Sequence, residues 1–403
     1  MSGIVVIGAG QAGCALVAKL RALDHDGPLT LLGAEPHPPY QRPPLSKKYL
    51  LGEMPRERLF LRPEAFYADQ GITLRTGCAP DAIDRAARCV RIGDERLPYD
   101  QLVLTTGATP RRLPNMIGGG LDGVFTLRGI ADVDALAPRM RPGARLLVVG
   151  GGYIGLEAAA VARGLGLQVT LIEAAPRILQ RVAAPETSDY FRALHRAHGV
   201  DLREGTGLAR LLGAGHVTGA ELSDGSRVEA DLVLAGIGVA PNVALAEAAG
   251  LPLDNGIAVD KLGRTGDPHI WAAGDCASFP WRDTRVRMES VQNAIDMAEC
   301  VATNLLGAQT PYDPQPWFWS DQYDTKLQIA GLNAGYTRVV ARPGARAGSL
   351  SHWYYAGDRL IALDAMNDPR AYMIGRRLLA RDTSPDPALL AAPETDLKAL
   401  AAA

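Results

Sequence analysis

Residues 4–13 read Ile-Val-Val-Ile-Gly-Ala-Gly-Gln-Ala-Gly, an apolar run followed directly by three glycines in the spacing G-x-G-x-x-G. This spacing is typical of the corner where a buried parallel strand turns into a helix. Gly8 allows the tight turn, Gly10 lets the backbone approach a pyrophosphate, and Gly13 lets the helix pack on the strand. The N–H groups and partial positive charge of the helix N-terminus then favour phosphate binding.

A second stretch with the same pattern begins at residue 146 and reads Leu-Leu-Val-Val-Gly-Gly-Gly-Tyr-Ile-Gly, which places Gly150, Gly152 and Gly155 at the three glycine positions. One such motif is a weak signal, but in both stretches an acid follows about 20 residues later, after the next apolar run. These acids are Glu35 and Glu173, and each is expected to bind a ribose diol. Two such units indicate two dinucleotides, most economically a flavin and a nicotinamide that exchange electrons.

Both units end in the same kind of segment, which predicts an internal repeat. Residues 99–110 and residues 230–241 each run from a polar residue and an aspartate through an apolar strand to a glycine and a proline. A third strand ending in Gly-Asp, residues 270–275, follows the second unit and has no glycine fingerprint of its own. We therefore expect the second unit to be nested within the first, with the third strand returning to the first sheet.

The C-terminal part has a different pattern. Residues 326–332 and 351–364 predict strands, the latter with a hairpin turn at 356–358, and residues 370–381 predict a basic amphipathic helix. The tail from Asp382 is expected to be loosely held. The predicted fold class is α/β, with two nested Rossmann-like dinucleotide-binding domains and a C-terminal α+β domain. The predicted boundaries are 1–110 with 239–316 for the FAD-binding domain, 111–238 for the NADH-binding domain and 317–403 for the C-terminal domain.

Composition argues against several classes of function. The net charge of −2 gives no indication of binding to nucleic acid or to a membrane. No stretch approaches the roughly 20 apolar residues of a transmembrane helix, and the first apolar run is too short for a signal peptide, so we expect a cytoplasmic protein. The five cysteines are scattered without a C-x-x-C pair, which argues against a disulfide framework, a metal site and a redox-active dithiol.

Four further stretches resemble one known family. They are residues 42–47 (Arg-Pro-Pro-Leu-Ser-Lys), 150–157 (Gly-Gly-Gly-Tyr-Ile-Gly-Leu-Glu), 273–275 (Ala-Gly-Asp) and 316–323 (Pro-Trp-Phe-Trp-Ser-Asp-Gln-Tyr). They are similar to the FAD-dependent NADH–ferredoxin reductases that serve bacterial oxygenases, of the putidaredoxin reductase type, and the resemblance covers essentially the whole chain. It implies a fold of the glutathione reductase type without the redox-active disulfide.

The resemblance also implies the residues that bind the two cofactors. For FAD they are Gly8, Gly10, Ala12, Gly13, Glu35, Arg42, Lys47, Pro80, Arg128, Asp275 and Val291. For NADH they are Gly150, Gly152, Tyr153, Ile154, Gly155, Glu157, Glu173 and Gly238. The carboxylate of Glu173 favours NADH over NADPH, because it accepts from a free 2′-hydroxyl and repels a 2′-phosphate. Arg177 lies nearby in the sequence and weakens this signal.

Three residues are predicted to act in catalysis. Lys47 and Glu157 are expected to form a polar pair near the flavin N5, and the resemblance places Trp319 beside the flavin. His195 and His198 are expected to be surface residues of a helix rather than metal ligands.

The predicted reaction passes a hydride from NADH to FAD and then single electrons to a two-iron two-sulfur ferredoxin, which feeds a bacterial haem-thiolate monooxygenase. Two alternatives differ only in the electron acceptor: a rubredoxin reductase, and the ferredoxin reductase of a ring-hydroxylating dioxygenase. An alternative of another class is an NADH-sensing flavoprotein that acts through assembly, like relatives of the apoptosis-inducing factor.

Overall fold

The computed structural model describes residues 3–400. The chain forms two compact units, each assembled from separate segments of the sequence. The first unit comprises Met1–Arg42, Pro55–Thr109 and Val239–Pro314, and the second comprises Pro43–Met54, Pro110–Gly238 and Gln315–Ala403. Within residues 3–400, no helix is long and apolar enough to cross a lipid bilayer.

The first unit is built on a five-stranded parallel sheet. The strands lie in the order Ile270–Ala272, Gln101–Leu104, Ile4–Ile7, Leu29–Leu32 and Ile72–Arg75. The central strand Ile4–Ile7 is buried on both faces, which explains its uninterrupted apolar sequence. Because Ile270–Ala272 pairs with Gln101–Leu104, the predicted return of the chain to the first sheet is confirmed.

The rest of the first unit consists of helices and of short strands that form small separate sheets. Ser290 caps the helix Val291–Leu305 by accepting a hydrogen bond from the Asn293 N–H at 3.1 Å. The helices are Gln11–Ala22, Glu64–Asp69, Ala244–Ala248 and Val291–Leu305, with a 3-10 helix at Arg56–Leu59. The remaining strands are Ala82–Asp84, Cys89–Ile92, Glu95–Pro98, Ala108–Pro110, Val239–Pro241, Ile257–Ala258, Ala277–Trp281 and Thr284–Val286.

The second unit contains its own five-stranded parallel sheet. The strands lie in the order Asp201–Glu204, Gln168–Glu173, Arg145–Val149, Leu232–Ala235 and Val124–Phe125. An antiparallel sheet follows with strands Leu208–Ala214, His216–Leu222 and Arg227–Glu229. The α-helices are Ile130–Leu136, Tyr153–Gly164 and Pro185–Ala197, and 3-10 helices occur at Pro43–Ser46, Asn115–Ile117 and Ala137–Arg139.

The C-terminal part of the second unit is a five-stranded antiparallel sheet with helices. The strands lie in the order Trp317–Gln322, Thr325–Gly331, Arg359–Met366, Leu350–Ala356 and Arg338–Pro343. The predicted hairpin turn is present, with Gly357 at a φ of 59°. The helix Pro369–Ala380 follows, and its buried face packs in one apolar cluster with Trp353 and Leu363.

The C-terminal tail is bound to this sheet, so the prediction of a loosely held tail was wrong. Pro387–Ala391 and Leu397–Leu400 form short helices, and Leu390 is fully buried. The buried guanidinium of Arg342 donates hydrogen bonds of 2.6–3.1 Å to four backbone carbonyls of the tail, those of Leu390, Ala392, Pro393 and Thr395. Composition alone could not reveal this, because the partner arginine lies on a distant strand.

Candidate functional site

The first glycine fingerprint forms a corner that is closed to side chains except at its middle glycine. Gly8 has a φ of 119°, and a Cβ placed on it would lie 2.1 Å from the Thr105 carbonyl oxygen. A Cβ on Gly13 would lie 2.1 Å from the Gly8 carbonyl oxygen, whereas a Cβ on Gly10 would meet nothing within 4 Å. The backbone is therefore open at Gly10, where a pyrophosphate is expected to approach.

Glu35 lies in a polar cluster of the first unit. The Tyr40 hydroxyl donates to one carboxylate oxygen at 2.5 Å, and Arg42 Nη2 donates to the other at 2.6 Å. Burial opposes ionisation of this carboxyl, but the Arg42 guanidinium and the Tyr40 hydroxyl outweigh burial and hold the pKa of Glu35 below its ordinary value. An ionised carboxylate accepts more than one hydrogen bond on each oxygen, so the cluster fits a ribose diol as a further donor.

The structure shows where the other FAD residues predicted in the first unit lie, and their roles stay predictions. A Cβ on Gly274 would lie 3.0 Å from the Ala12 Cβ, which brings the adjoining Asp275 to the start of the helix Gln11–Ala22. Burial opposes the charge of Arg42, yet nearby Tyr40, Glu35 and Asp275 raise its pKa. Val291 begins the helix that packs on Gln11–Ala22. Pro80 lies in the loop before the strand Ala82–Asp84, and its role stays a prediction.

Two residues predicted to bind FAD, Lys47 and Arg128, belong to the second unit. The Arg128 backbone N–H donates to the Asp132 carboxylate at 2.9 Å, and Asp132 also accepts from the Gly129 N–H at the start of the helix Ile130–Leu136. This local bond fixes the backbone at Arg128. The role of its side chain toward FAD stays a prediction.

The second fingerprint repeats the geometry of the first. A Cβ on Gly150 would lie 2.5 Å from the Gly236 carbonyl oxygen, and one on Gly155 would lie 2.2 Å from the Gly150 carbonyl oxygen. A Cβ on Gly152 would again meet nothing within 4 Å. Gly238, at a φ of 95°, follows the strand Leu232–Ala235 at the same sheet edge. This corner therefore fits a second dinucleotide pyrophosphate.

Glu173 ends the strand beside this corner, as predicted. Its carboxylate accepts hydrogen bonds from the Gly151 N–H at 2.7 Å and from the Ala175 N–H at 2.8 Å. The guanidinium of Arg177 is engaged elsewhere, because it donates to the Ser188 hydroxyl at 2.6 Å and to the Gln180 carbonyl at 3.3 Å. The acid is thus held in place at the fingerprint, and Arg177 has its own partners.

The predicted pair Lys47 and Glu157 is present and largely buried. Lys47 Nζ lies 2.6 Å from Glu157 Oε2, and the two side chains are 19% and 5% exposed. Sequence reasoning missed two serines that complete the site. The Ser46 hydroxyl donates to Glu157 Oε2 and the Ser320 hydroxyl to Glu157 Oε1, both at 2.7 Å. Both serines lie within the family-like stretches, where Ser46 precedes the predicted Lys47 and Ser320 follows the predicted Trp319.

Three elements of the second unit meet at Glu157. The 3-10 helix Pro43–Ser46 leads into Lys47, the helix Tyr153–Gly164 carries Glu157 one turn after Tyr153, and the strand Trp317–Gln322 carries Ser320. Side chains alternate along a strand, so Phe318 shares the face of Ser320, and its ring lies 5.0 Å from that of Tyr153.

Trp319 lies on the opposite face of this strand. Its ring lies 5.6 Å from the ring of Trp317, and the side chain is partly buried. The structure therefore does not bring Trp319 into the cluster around Glu157. The predicted place of this side chain beside the flavin stays a prediction.

His195 is fully buried, so the prediction of a surface position for this residue was wrong. Its Nε2 lies 2.8 Å from the Gln322 side-chain oxygen, and burial lowers the pKa of His195 to about 4. His198 is exposed, as predicted, and its ring stacks on Tyr323 at 3.7 Å. The helix Pro185–Ala197 places Thr187, Phe191 and His195 four residues apart on one face, and this spacing could have indicated burial.

Comparison with known proteins agrees with this geometry. The family described as pyridine nucleotide-disulphide oxidoreductase matches residues 2–298, and the one described as reductase C-terminal matches residues 317–401. Rhodocoxin reductase of Rhodococcus erythropolis is 44% identical over 399 residues, which cover 98% of this chain and 93% of that protein. Other relatives are named as a rubredoxin–NAD(+) reductase and as the ferredoxin–NAD(+) reductase component of an anthranilate 1,2-dioxygenase system.

Two solved structures are also similar over their whole length. The ferredoxin reductase for the CYP199A2 system from Rhodopseudomonas palustris has a TM-score of 0.96 and 42% identity, with 100% of each chain covered. The reductase in the covalent putidaredoxin reductase–putidaredoxin complex has a TM-score of 0.96 and 40% identity, with 99% of this chain and 98% of that chain covered.

The chain belongs to the pyridine nucleotide-disulphide oxidoreductase family, and it is an oxidoreductase. Within that family it is a reductase of the ferredoxin–NAD(P)+ type, and FAD and a nicotinamide nucleotide are the cofactors. The predicted family resemblance, fold class and cofactors are therefore confirmed.

Proposed function

We propose that this protein is a cytoplasmic NADH-dependent reductase whose electron acceptor is a two-iron two-sulfur ferredoxin of a haem-thiolate monooxygenase system. The observation that carries the proposal is the buried Lys47–Glu157 ion pair next to the second fingerprint. It stands in a chain whose sequence has no C-x-x-C pair. A flavoprotein that reduces disulfides through a redox-active dithiol would carry such a pair, so a single-electron acceptor fits better.

Bound FAD would supply the conversion of a two-electron hydride donor into single electrons. Lys47 places a positive charge in a site with little water, where it stabilises negative charge more strongly than in solution. Glu157 holds the Lys47 ammonium in place through the 2.6 Å contact. The Tyr153 and Phe318 rings, on the same helix as Glu157 and the same strand as Ser320, lie 5.0 Å from each other.

The choice of NADH rests on Glu173. Its carboxylate is fixed at the glycine corner by two backbone N–H groups, and a fixed negative charge there repels a 2′-phosphate. Arg177, which could have bound that phosphate, is held by Ser188 and Gln180 instead. Both observations support NADH.

The acceptor is proposed from similarity. Relatives and solved neighbours are named as reductases of a CYP199A2 system, of putidaredoxin and of a dioxygenase system, which supports a ferredoxin partner. We also propose that residues 1–110 and 239–316 bind FAD, residues 111–238 bind NADH and residues 317–403 form the C-terminal domain.

Anaerobic stopped-flow mixing tests this function. We expect NADH to bleach the flavin of the purified protein rapidly, and a two-iron ferredoxin added second to reoxidise it rapidly. Rapid bleaching with reoxidation by rubredoxin only would replace the ferredoxin assignment by the rubredoxin alternative, which one relative's name favours. Slow bleaching coupled to dimerisation would contradict the reductase assignment and favour an NADH sensor.

A further inference from the structure

A row of buried polar side chains leads from Glu157 to the helix Pro185–Ala197, all within the second unit. The Ser320 Oγ lies 2.7 Å from Glu157 Oε1, the Gln322 Nε2 lies 3.2 Å from the Ser320 Oγ, and the His195 Nε2 lies 2.8 Å from the Gln322 Oε1. Ser320, Gln322 and His195 are each 0% exposed. The Tyr323 hydroxyl lies 3.5 Å from His195 Nδ1, at the far end of the row.

The hydrogen bonds of this row run in one direction. A Gln side-chain oxygen can only accept, so His195 must carry its proton on Nε2 and donate to Gln322. The Gln322 amide group then donates to Ser320, whose own hydroxyl proton is left to donate to Glu157. Burial keeps His195 neutral near pH 7, so its Nδ1 accepts from the Tyr323 hydroxyl. Every donor in the row points toward the Glu157 carboxylate.

The two oxygens of Glu157 therefore have different partners. Oε2 accepts from the Lys47 ammonium and the Ser46 hydroxyl, whereas Oε1 accepts from Ser320. A carboxylate held at both oxygens cannot rotate about its terminal torsion, which is otherwise broad. Successive hydrogen bonds also polarise one another in a low-dielectric interior, so Gln322 and His195 strengthen the bond that Ser320 donates.

We propose that Ser320, Gln322 and His195 are positioning residues that fix the Glu157 carboxylate, and through it the Lys47 ammonium, for hydride transfer. The proposal rests on the proposed function, because it assigns these residues to the same reaction. None of the three needs to touch a cofactor. Their effect passes through the orientation of Glu157.

Two pairs of variants distinguish a positioning role of Ser320 and His195 from a purely structural role. Ser320→Ala removes the hydroxyl, whereas Ser320→Thr keeps it. His195→Leu removes the donor to Gln322, whereas His195→Gln places an amide N–H near the position of Nε2. Arg196→Gln is the matched control, because Arg196 follows His195 on the same helix but is exposed, with its guanidinium bonded to the Leu202 carbonyl at 3.4 Å.

The rate of flavin reduction by NADH is the first measurement. We expect Ser320→Ala to slow it about tenfold, because one hydrogen bond to a buried charged group is lost. The effect of His195→Leu should be smaller, about two- to threefold, because it acts through two intervening bonds. Ser320→Thr, His195→Gln and Arg196→Gln should remain near the wild-type rate, and all variants should keep their FAD.

The crystal structures of the Ser320→Ala and His195→Leu proteins are the second measurement, and they do not depend on turnover. We expect the Glu157 carboxylate to rotate or to occupy more than one position in both. If both structures keep the Lys47–Glu157 contact at 2.6 Å in one conformation and both reduction rates are unchanged, the proposal is overturned. A wild-type flavin that NADH does not reduce would contradict the proposed function alone, since the Glu157 position would still test the positioning role.

Discussion

At the scale of single residues, the site depends on a buried carboxylate with an unusually complete set of donors. Glu157 accepts hydrogen bonds from Lys47, Ser46 and Ser320. A buried ion pair contributes little net stability, but removing one partner leaves an uncompensated charge that costs several kcal/mol. We therefore regard the pair as a functional arrangement whose loss should affect both activity and stability.

Replacement of Glu157 by Gln tests this view. The variant keeps the shape of the side chain and removes its negative charge, so the ion pair with Lys47 is lost. We expect flavin reduction by NADH to slow by roughly ten- to a hundredfold, the usual effect of losing one preorganised electrostatic group, with FAD still bound. Stopped-flow absorbance measures the rate. Glu229→Gln is the control, because that side chain is 81% exposed, and a Glu157→Gln rate equal to wild type would contradict the assignment.

Replacement of Glu173 by Gln tests the choice of nucleotide. The amide keeps one acceptor for the Gly151 N–H or the Ala175 N–H, but it no longer repels a 2′-phosphate. We expect the ratio of kcat/KM for NADPH to that for NADH to rise about tenfold, a difference of about 1.4 kcal/mol. Steady-state kinetics with both nucleotides measures the ratio, and Glu186→Gln, on the exposed side of a helix of the same unit, is the control. A wild-type protein that uses both nucleotides equally would refute the NADH assignment.

At the scale of elements, Arg342 connects the C-terminal tail to a strand of the antiparallel sheet. Its guanidinium donates to four carbonyls of the tail, a geometry that a planar fork of donors allows and a single ammonium does not. The tail in turn buries Leu390 and Leu397 in the apolar cluster of the sheet. The position of the tail thus depends on one side chain.

We expect Arg342→Lys to lower the free energy of unfolding by about 2–3 kcal/mol, since two or more charge-assisted hydrogen bonds are lost. The tail should also become sensitive to protease after Asp382. Urea unfolding and limited proteolysis followed by mass spectrometry measure the two effects. Arg338→Lys, on the same strand and 50% exposed, is the control, and an unchanged cleavage pattern in Arg342→Lys would show that the apolar contacts alone hold the tail.

The helix Pro185–Ala197 illustrates why residue type alone misleads. It buries Thr187 and His195 on the face that also carries Phe191, and each polar group finds its partner on a strand of the C-terminal sheet. Thr187 donates to the Asp364 carboxylate at 2.8 Å, and His195 donates to Gln322. A buried polar residue needs such a partner, and that partner lies more than a hundred residues away in both cases.

At the scale of the whole molecule, the buried Asp364 carboxyl makes the free energy of unfolding depend on pH. The Asp364 carboxyl is buried with Thr187, Tyr354 and the neutral imidazole of His352, with Tyr153 nearby. Burial raises the pKa of Asp364 from 3.8 to about 6, despite the hydrogen bonds from Tyr354 and Thr187. A raised pKa in the folded state favours the protonated form, so this stabilisation is complete below about pH 4 and is lost as the pH rises through about 6.

We therefore expect the free energy of unfolding of the wild type to fall by about 1 kcal/mol between pH 5 and pH 7 relative to that of Asp364→Asn. The comparison with the variant removes the opposite contribution of His352, whose pKa is lowered to about 4 by burial. Urea unfolding of both proteins at the two pH values measures the difference. Parallel pH dependences for the two proteins would show that Asp364 is ionised at pH 5 in the folded state.

The amino-acid sequence alone was sufficient to predict the parts of the protein in which the chemistry requires a local pattern. The two glycine fingerprints, the acids Glu35 and Glu173 and the Lys47–Glu157 pair are all identifiable because a strand–turn–helix corner and a family-like stretch each occupy consecutive residues. The structure shows the corners, the acids at their strands and the ion pair. Local sterics at Gly8 and Gly150 leave little choice of residue there.

The side chains that complete the site from distant parts of the sequence are visible only in the folded structure. Ser320, Gln322 and His195 reach Glu157 through a strand and a helix that are far apart in sequence, and Arg342 reaches the tail in the same way. The spacing along the helix could have indicated that His195 is buried, but the local sequence around His195 or Asp382 does not identify the partner. The reason is physical: burial and hydrogen-bond partnership are properties of packed surfaces, and they exist only once the elements that carry those surfaces have met.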